Sequence, residues 1–306
     1  MSAEVSVELN QDGTARVATA TQDIGTGTYT ILAQLVAEAT GIELEKIKVA
    51  IGDSRLPPGP LSGGSQVTAS LVPTVAQAAH AAIQQMLTTA TRIDGSPFVK
   101  HRPDSLAFGD GMVYRRGPPP GTGVPFARIL QAAQISNVSG KGRSGPSQSD
   151  PDASRISIHS YCAHFVEVTW QPETARLRVS QVLSVIDGGK IINTRTGRNQ
   201  IEGAIAMGVG MALFEEADYD PVSGAALNSS LADYMMTTNA DLPRIDVTLL
   251  NYPDIALNSI GARGIGEIGL VSAAPAIANA VFHATGVRVR DLPIRIEDLL
   301  LSEVVA

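Results

Sequence analysis

Apolar and polar residues alternate with a period of two over Val5-Ser-Val-Glu-Leu9 and again over Ala15-Arg-Val-Ala-Thr19. Gln11-Asp12-Gly13 between them is a hairpin turn signal, so the chain opens in the middle of a sheet. From Thr30 to Thr40 the period changes. Apolar residues fall at 31, 32, 35, 36 and 39, which predicts a helix with Gly41 as its C-cap. Lys46 to Ile51 alternates as a strand, and an alanine-rich stretch from about Thr68 to near Arg92 predicts a long helix. Residues 94–126 predict short strands around Pro118-Pro-Pro-Gly121. Residues 136–152 are rich in Ser, Gly, Asp and Pro and predict a mobile loop or linker. Two long strands follow, Ser157–Trp170 and Ala175–Ile186, on either side of the Gln171-Pro-Glu173 turn. A helix is predicted from about Arg195 to Glu216, a strand over Asp246–Asn251, and a helix from Ala274 to Thr285 closed by Gly286. The expectation is an α+β fold of mixed sheets with packed helices. It divides into a first α+β subdomain over 1–135, a loop or linker over 136–155, and a second α+β subdomain over 156–306.

Composition narrows the function classes. With 306 residues the chain can bury a large core in one or two domains. A net charge of −7 and no run of Lys or Arg argue against a nucleic-acid surface. The single cysteine, Cys162, excludes an internal disulfide and an iron–sulfur cluster, which needs about four thiolates. Its alternating surroundings read as a buried small residue. The five histidines show no metal-ligand spacing, so a protein-ligated zinc or iron site is not expected. No GxSxG elbow is present. No apolar run reaches the roughly 18–20 residues of a membrane helix. Met1-Ser-Ala-Glu-Val-Ser-Val lacks the basic start and apolar stretch of a signal peptide. The expected location is cytoplasmic, or periplasmic if a partner carries the export signal.

Four segments carry candidate chemistry. Thr21-Gln-Asp-Ile-Gly25-Thr26-Gly27-Thr28 joins a strand to a helix, so its backbone N–H groups and hydroxyls would face an anion; an ordinary N-capped helix is the plainer reading. Ser62-Gly-Gly64-Ser65-Gln66-Val67-Thr68 offers hydroxyls and an amide without a charge, which suits a polar ligand or, more plainly, a capped flexible loop. Gln200 lies on an Ala/Gly-rich helix, either at the surface or as a donor to a bound group. The fourth segment is Gly261-Ala-Arg-Gly264-Ile-Gly266-Glu267-Ile-Gly269, whose glycines let backbone come very close to something. Glu267 stands among Ile265, Ile268 and Leu270. A carboxylate in apolar company has a raised pKa and can serve as a general base; an acid at a helix start that only complements the dipole is the alternative. The same glycines match the dinucleotide fingerprint, which would suit a nicotinamide-dependent oxidoreductase. Against that, Ile255–Ile260 is a poor strand, Glu267 would occupy the pyrophosphate's place, and too few residues follow to complete a Rossmann fold.

Taken in order, these segments resemble the molybdenum-binding subunit of the xanthine dehydrogenase/aldehyde oxidase family, nearest to its bacterial aldehyde oxidoreductases. The resemblance rests on Asp23-Ile-Gly-Thr-Gly-Thr-Tyr-Thr30, Gly52-Asp-Ser54, Gly63-Gly-Ser65, Asp187-Gly-Gly-Lys-Ile-Ile-Asn193, Gln200-Ile-Glu-Gly203, Leu213-Phe-Glu-Glu216 and Gly264-Ile-Gly-Glu267. It runs from about Ala15 to Leu300 and is weakest over 94–155. It implies the second molybdopterin-binding domain of a molybdenum hydroxylase, with Glu267 on the catalytic glutamate. Gly25, Thr26, Gly27, Gly64, Ser65, Gln66, Val67 and Thr68 fall on loops that hold the pterin and its phosphate. Gln200 falls near the cofactor's polar end, and Gly266 belongs to the same cofactor-binding set. Many members have a glutamine where this chain has Thr26, whose hydroxyl reaches less far. The implied cofactor is molybdopterin, alone or as its cytosine dinucleotide, with the metal held by the pterin dithiolene. The implied reaction oxidises aldehydes or aromatic N-heterocycles with water-derived oxygen: Glu267 takes a proton from the metal-bound hydroxyl and hydride passes to Mo=S. [2Fe-2S] clusters and FAD are expected on partner subunits. Family subunits are considerably longer, so this chain is expected to be the C-terminal half and to need a partner supplying the N-terminal half. A non-catalytic structural half of the same fold is the competing reading.

Overall fold

The computed structural model describes residues 2–117, 122–145 and 159–301. The Pro118-Pro-Pro-Gly121 run and part of the expected linker, 146–155, lie outside them. The chain forms two compact units. The first takes residues 1–158 and is rejoined by 253–264; the second takes 159–252 and 265–306.

In the first unit the opening hairpin is strands β1 (Ala3–Asn10) and β2 (Ala15–Ala18), followed by helix α1 (Thr28–Thr40) and strand β3 (Ile47–Ala50). Helix α2 (Val67–Arg92) comes next, then β4 (Leu106–Gly109), β5 (Met112–Arg115), β6 (Val124–Pro125), helix α3 (Phe126–Ala133) and β7 (Asn137–Ser144). Gly41 closes α1 at φ 67°, as the sequence predicts. The main sheet has the order β3-β2-β1-β7, with β2 and β3 parallel and the other pairs antiparallel. A small antiparallel sheet, β4-β5-β6, lies apart from it in the sheet order. Val5, Val7 and Leu9 alternate into the core.

Strand β7 corrects the reading of its stretch as a mobile loop. Its glycines answer a steric demand rather than one for flexibility. A Cβ on Gly140 would overlap Ala82 N and Ala78 O of α2, and one on Gly142 would overlap Thr74 O. The helix backbone therefore lies directly on the strand, opposite Val5 and Val7. Ala78, Ala79 and Ala82 keep the helix side equally thin. Thr74 Oγ1 and Ser144 Oγ, 2.6 Å apart, fasten the end of the pair.

The second unit holds β8 (Tyr161–Gln171), β9 (Arg176–Asp187), α4 (Thr194–Leu213), β10 (Arg244–Leu250), α5 (Ile268–Val271), α6 (Ala273–Thr285) and α7 (Ile296–Leu301). Its sheet runs β10-β9-β8, parallel then antiparallel, with a bulge at Glu167/Val168. Asn193 caps α4, its Oδ1 accepting from the backbone of Arg195 and Thr196. The helix ends at Leu213, three residues before the expected Glu216, and 214–243 then runs without helix or strand beyond one bridge between Tyr219 and Ala226. Ile201, Ile205, Ile277 and Val281 meet Val182 and Ile186 in the core. The inner face of β8 carries Cys162, whose Sγ lies 3.0 Å from Ser272 Oγ, and His164, opposite the buried Ser184. One sequence expectation fails here. Ile268–Thr285 is 18 residues long with mean hydropathy 1.4, enough by length and composition to cross a membrane. The structure divides that stretch at Ser272 into α5 and α6 and packs α6 against β8.

Candidate functional site

Two neighbouring loops of the first unit form a cradle ahead of α1 and α2. Ala20 N donates to Pro57 O at 2.7 Å, Gly52 N to Thr21 O at 2.8 Å, and Thr21 Oγ1 to Pro60 O at 2.9 Å. A Cβ on Gly59 would sit 2.5 Å from Thr21 N, so only glycine permits this approach. Ser62 Oγ donates to Gln22 O at 2.7 Å, which ties the second polar segment to the first. Gly64 and Ser65 then take left-handed conformations, φ 62° and 55°, before Gln66 enters α2. A left-handed serine is uncommon and costs backbone strain. Thr68, in the first turn of α2, and Ser65 are half-buried. The first-turn N–H groups of a 26-residue helix and its dipole favour an anion nearby.

The glycine loop ahead of α1 is arranged differently from the sequence expectation. Its N–H groups already have an anion of their own. Asp23 Oδ1 accepts from Gly25 N at 2.9 Å and Gly27 N at 3.3 Å, and Oδ2 accepts from Tyr29 N at 3.2 Å. Of the hydroxyls, that of Thr26 is half-buried and lies 3.3 Å from that of Thr28, which is buried.

The segment 253–264 completes the first unit. Asn258, 8% exposed, organises it: its Oδ1 accepts from the backbone of Ile260, Gly261 and Ala262, and its Nδ2 donates to Ala262 O. Arg263 pairs with Asp254 at 3.6 Å. Gly264 then meets the cradle, since a Cβ there would overlap Ser65 O.

Glu267 follows three residues later, in the second unit. It is the N-cap of α5 and is exposed, which corrects the expectation of a carboxylate embedded among apolar neighbours. The apolar neighbours in sequence point elsewhere. Ile265 fits against Gly188 and Gly197, where a Cβ would collide with or crowd it, and Ile268 joins the core. Gly269 lies on α4, a Cβ there falling 2.9 Å from Ala204 Cβ. With those residues turned inward, Glu267 is left outward. Gln200 Nε2 donates to Gly266 O at 2.7 Å, so this amide holds the turn beside the carboxylate.

The structure thus gathers Gly25, Thr26, Gly27, Gly64, Ser65, Gln66, Val67 and Thr68 in the first unit, and Gln200, Gly266 and Glu267 in the second. Gly59 and Asn258 are structural parts of these loops that the sequence reading passed over, and Asp23, read there only as part of its motif, holds the α1 loop. An Asn three residues ahead of Gly261, which sits at φ 76°, was the available signal for Asn258. Glu215 and Glu216 lie past the end of α4, not on it. Glu215 accepts from Tyr234 Oη at 3.0 Å and Glu216 pairs with Arg295 at 2.6 Å. The Glu215 carboxylate pushes the Tyr234 phenol up.

Among the described residues no three His, Cys, Asp or Glu side chains converge. A metal at these loops would bring its ligands with it. The cradle's neutral hydroxyls, amide and helix-start N–H groups fit the phosphate and polar ring edges of such a carrier.

A family model described as a molybdopterin cofactor-binding domain matches residues 1–243. The chain belongs to that molybdopterin-binding family. It is 36% identical over 297 residues to the aldehyde oxidoreductase molybdenum-binding subunit PaoC of Escherichia coli K12, covering 96% of this chain and 38% of the relative. It is 29% identical over 303 residues to the putative xanthine dehydrogenase molybdenum-binding subunit XdhA of the same organism, covering 94% and 37%. Among solved structures, the aldehyde oxidoreductase of Desulfovibrio desulfuricans ATCC 27774 superposes with a TM-score of 0.73 at 27% identity, over 98% of this chain and 30% of that one. Quinoline 2-oxidoreductase of Pseudomonas putida 86 shares the fold with a TM-score of 0.80 at 24% identity, over 98% and 38%. The molybdopterin-binding chain therefore spans less than two fifths of the length of the curated relatives it matches.

Proposed function

We propose that this chain is the part of a molybdenum hydroxylase subunit that holds molybdopterin and supplies its general base, with aldehydes as the substrate class. One observation carries the reading: Glu267 is turned outward at the start of α5, with Gln200 fixing the carbonyl of Gly266 beside it. The 36% identity to an aldehyde oxidoreductase subunit favours aldehydes over the aromatic N-heterocycle implied by the 28% identity to a nicotine 6-hydroxylase large subunit of Paenarthrobacter nicotinovorans.

Ser65, Gln66 and Thr68, with the backbone of Gly64 and Val67, are assigned to the pterin and its phosphate, whether or not a cytosine nucleotide is attached. In the α1 loop Asp23 occupies the N–H groups of Gly25 and Gly27, so Thr26 contributes through its hydroxyl. When bound, the molybdenum cofactor supplies the two-electron acceptor and the water-derived oxygen that turn an aldehyde into a carboxylic acid. Glu267 Oε takes up the proton released as that oxygen adds to the substrate carbon. An exposed, short carboxylate arm next to a fixed backbone can do this with little rearrangement. With one cysteine the chain offers no seat for an iron–sulfur cluster, so electrons are assigned to partner chains carrying [2Fe-2S] and FAD.

The test is to assemble the chain with its partner polypeptides and measure molybdenum, pterin and aldehyde-dependent acceptor reduction. The reading expects near-stoichiometric cofactor and acid formation from aldehydes. Full cofactor occupancy without oxidation of any aldehyde would overturn the substrate assignment, and absence of pterin from the assembled enzyme would overturn the cofactor assignment.

A further inference from the structure

Five of the six methionines among the described residues are exposed; Met112, 40% exposed, lies in the first unit, and Met207, Met211, Met235 and Met236, 60, 42, 65 and 53% exposed, lie together in the second. Met207 and Met211 lie one turn apart on α4, with Gly203 one turn earlier, where a Cβ would meet nothing within 4 Å. The opposite face of the helix, Ile201, Ile205 and Val209, fills the core. Met235 and Met236 belong to the irregular stretch after α4, and that stretch is tied back onto the helix. Thr237 Oγ1 donates to Ala206 O at 3.2 Å, and a Cβ on Gly210 would come 2.7 Å from the same hydroxyl. Tyr234 is held by Glu215 just past the helix end. The residues on both sides of Met235 and Met236 are therefore anchored at the C-terminal half of α4, beside Met207 and Met211. Leu231, 82% exposed, extends the patch.

Clustered exposed thioethers form an adaptable apolar surface, and contiguous apolar patches on a folded chain mark contact sites. The charge around this patch is mainly acidic. Residues 214–241 contain six carboxylates and no Lys or Arg of their own, and two arginines from elsewhere reach the stretch, Arg295 on Glu216 and Arg178 on Ala240 O. A second copy of the chain would bring the same acidic rim against this one, which like-charge repulsion disfavours. The matched relatives leave the larger part of their length outside the stretch this chain covers, and the same holds for the structure of TM-score 0.80.

We propose that the methionine patch is the docking face for that remaining part of the molybdenum subunit, met by an apolar surface with a Lys/Arg rim. The inference rests on the function proposed above and names the partner of that assembly. Association through this face weakens with salt, because its rim is electrostatic.

The experiment is to produce the chain with photo-methionine and combine it with a separately produced polypeptide covering the rest of the relatives' length. The sample is irradiated and cross-links are mapped by mass spectrometry. Cross-links from positions 207, 211, 235 and 236 to that polypeptide are expected, while Met86, fully buried in α2, gives only cross-links within the chain. The Met207→Gln/Met235→Gln variant keeps the wild-type Tm, since both side chains are exposed, and loses at least about tenfold in affinity for the partner. Cross-links only between isotopically distinct copies of this chain, or unchanged affinity in the variant, would overturn the inference. Molybdopterin content separates the two claims. A complex cross-linked at these methionines but without pterin overturns the proposed function and keeps the docking face; a pterin-loaded complex without these cross-links does the reverse.

Discussion

Strand β7 and the turn ahead of α5 both carry glycines at short spacing, Gly140-x-Gly142 in one and Gly264-x-Gly266-x-x-Gly269 in the other. In β7 the missing side chains let α2 lie backbone-to-backbone on the strand, while the residue between them, Lys141, is exposed by the ordinary alternation of the strand. In the turn, Gly264 and Gly269 fit just as closely against Ser65 and α4, but between them a carboxylate is left exposed and a carbonyl is held by Gln200. Close approach builds a core in the first case. In the second it fixes the turn on which the exposed carboxylate of Glu267 stands. Glycine spacing and an exposed charge between the glycines do not distinguish the two; what distinguishes them is regular strand alternation in β7 against an irregular turn whose carbonyl is held by a side chain, Gln200.

The largest expected effect separates the two jobs on stability. Gly142→Ala forces a Cβ into Thr74 O, where neither backbone can yield cheaply, and should cost about 3 kcal/mol, the upper part of the overpacking range. Denaturant unfolding at fixed m-value checks it; a cost under ~0.5 kcal/mol would mean that α2 does not lie on β7 as described. Gly264→Ala should cost somewhat less, about 1–3 kcal/mol, because the left-handed Ser65 loop can shift. Its signature is elsewhere: pterin content of the assembled enzyme should fall further than Tm does. Equal loss in pterin for Gly142→Ala and Gly264→Ala would erase the distinction drawn here.

A smaller effect comes from His164. Burial in the β8 face, with no hydrogen-bond partner for either ring nitrogen, holds it below its ordinary value of 6.5. The unfolded chain then binds the extra proton first, so stability should be full above pH 6.5 and fall as pH drops toward the lowered folded value. His164→Phe should flatten that part of the stability–pH curve, and a curve that keeps its slope would assign it to other groups. The smallest effect has the opposite sign. Gly203, inside α4 with open space around it, should gain roughly 0.5–1 kcal/mol as Gly203→Ala through helix propensity. A loss there would show that this glycine, too, is in close contact with something.

Much of the fold was legible because period and capping residues are local. The opening hairpin, α1 with Gly41, α2 and the β8–β9 pair follow from patterns within a dozen residues. Strand β7 was not legible, because Ser-Gly-Lys-Gly-Arg-Ser has the composition of a loop and its reason lies in a helix some 60 residues earlier. The ordered motifs were enough to place the chain in its family. The sequence also suggested that Glu267 is embedded, since its chain neighbours are Ile265 and Ile268. Adjacency in sequence says little about burial when neighbours diverge into the core, and the carboxylate is exposed. Asp23's hold on the α1 loop was equally hidden: an acid before a glycine turn reads as a cap until its partners, Gly25, Gly27 and Tyr29, are seen.

The most direct test is turnover of Glu267→Gln in the assembled enzyme, with pterin and molybdenum measured on the same sample. The substitution keeps shape and removes basicity. Glu202→Gln is the control, an i,i+4 partner of Arg198 on the surface of α4. The account predicts wild-type cofactor content, near-normal kcat for Glu202→Gln, and a kcat for Glu267→Gln lower by at least about 10²-fold, the lower bound for a general base. Near-normal turnover of Glu267→Gln at full cofactor occupancy would contradict it and leave Glu267 as the N-cap of a short helix.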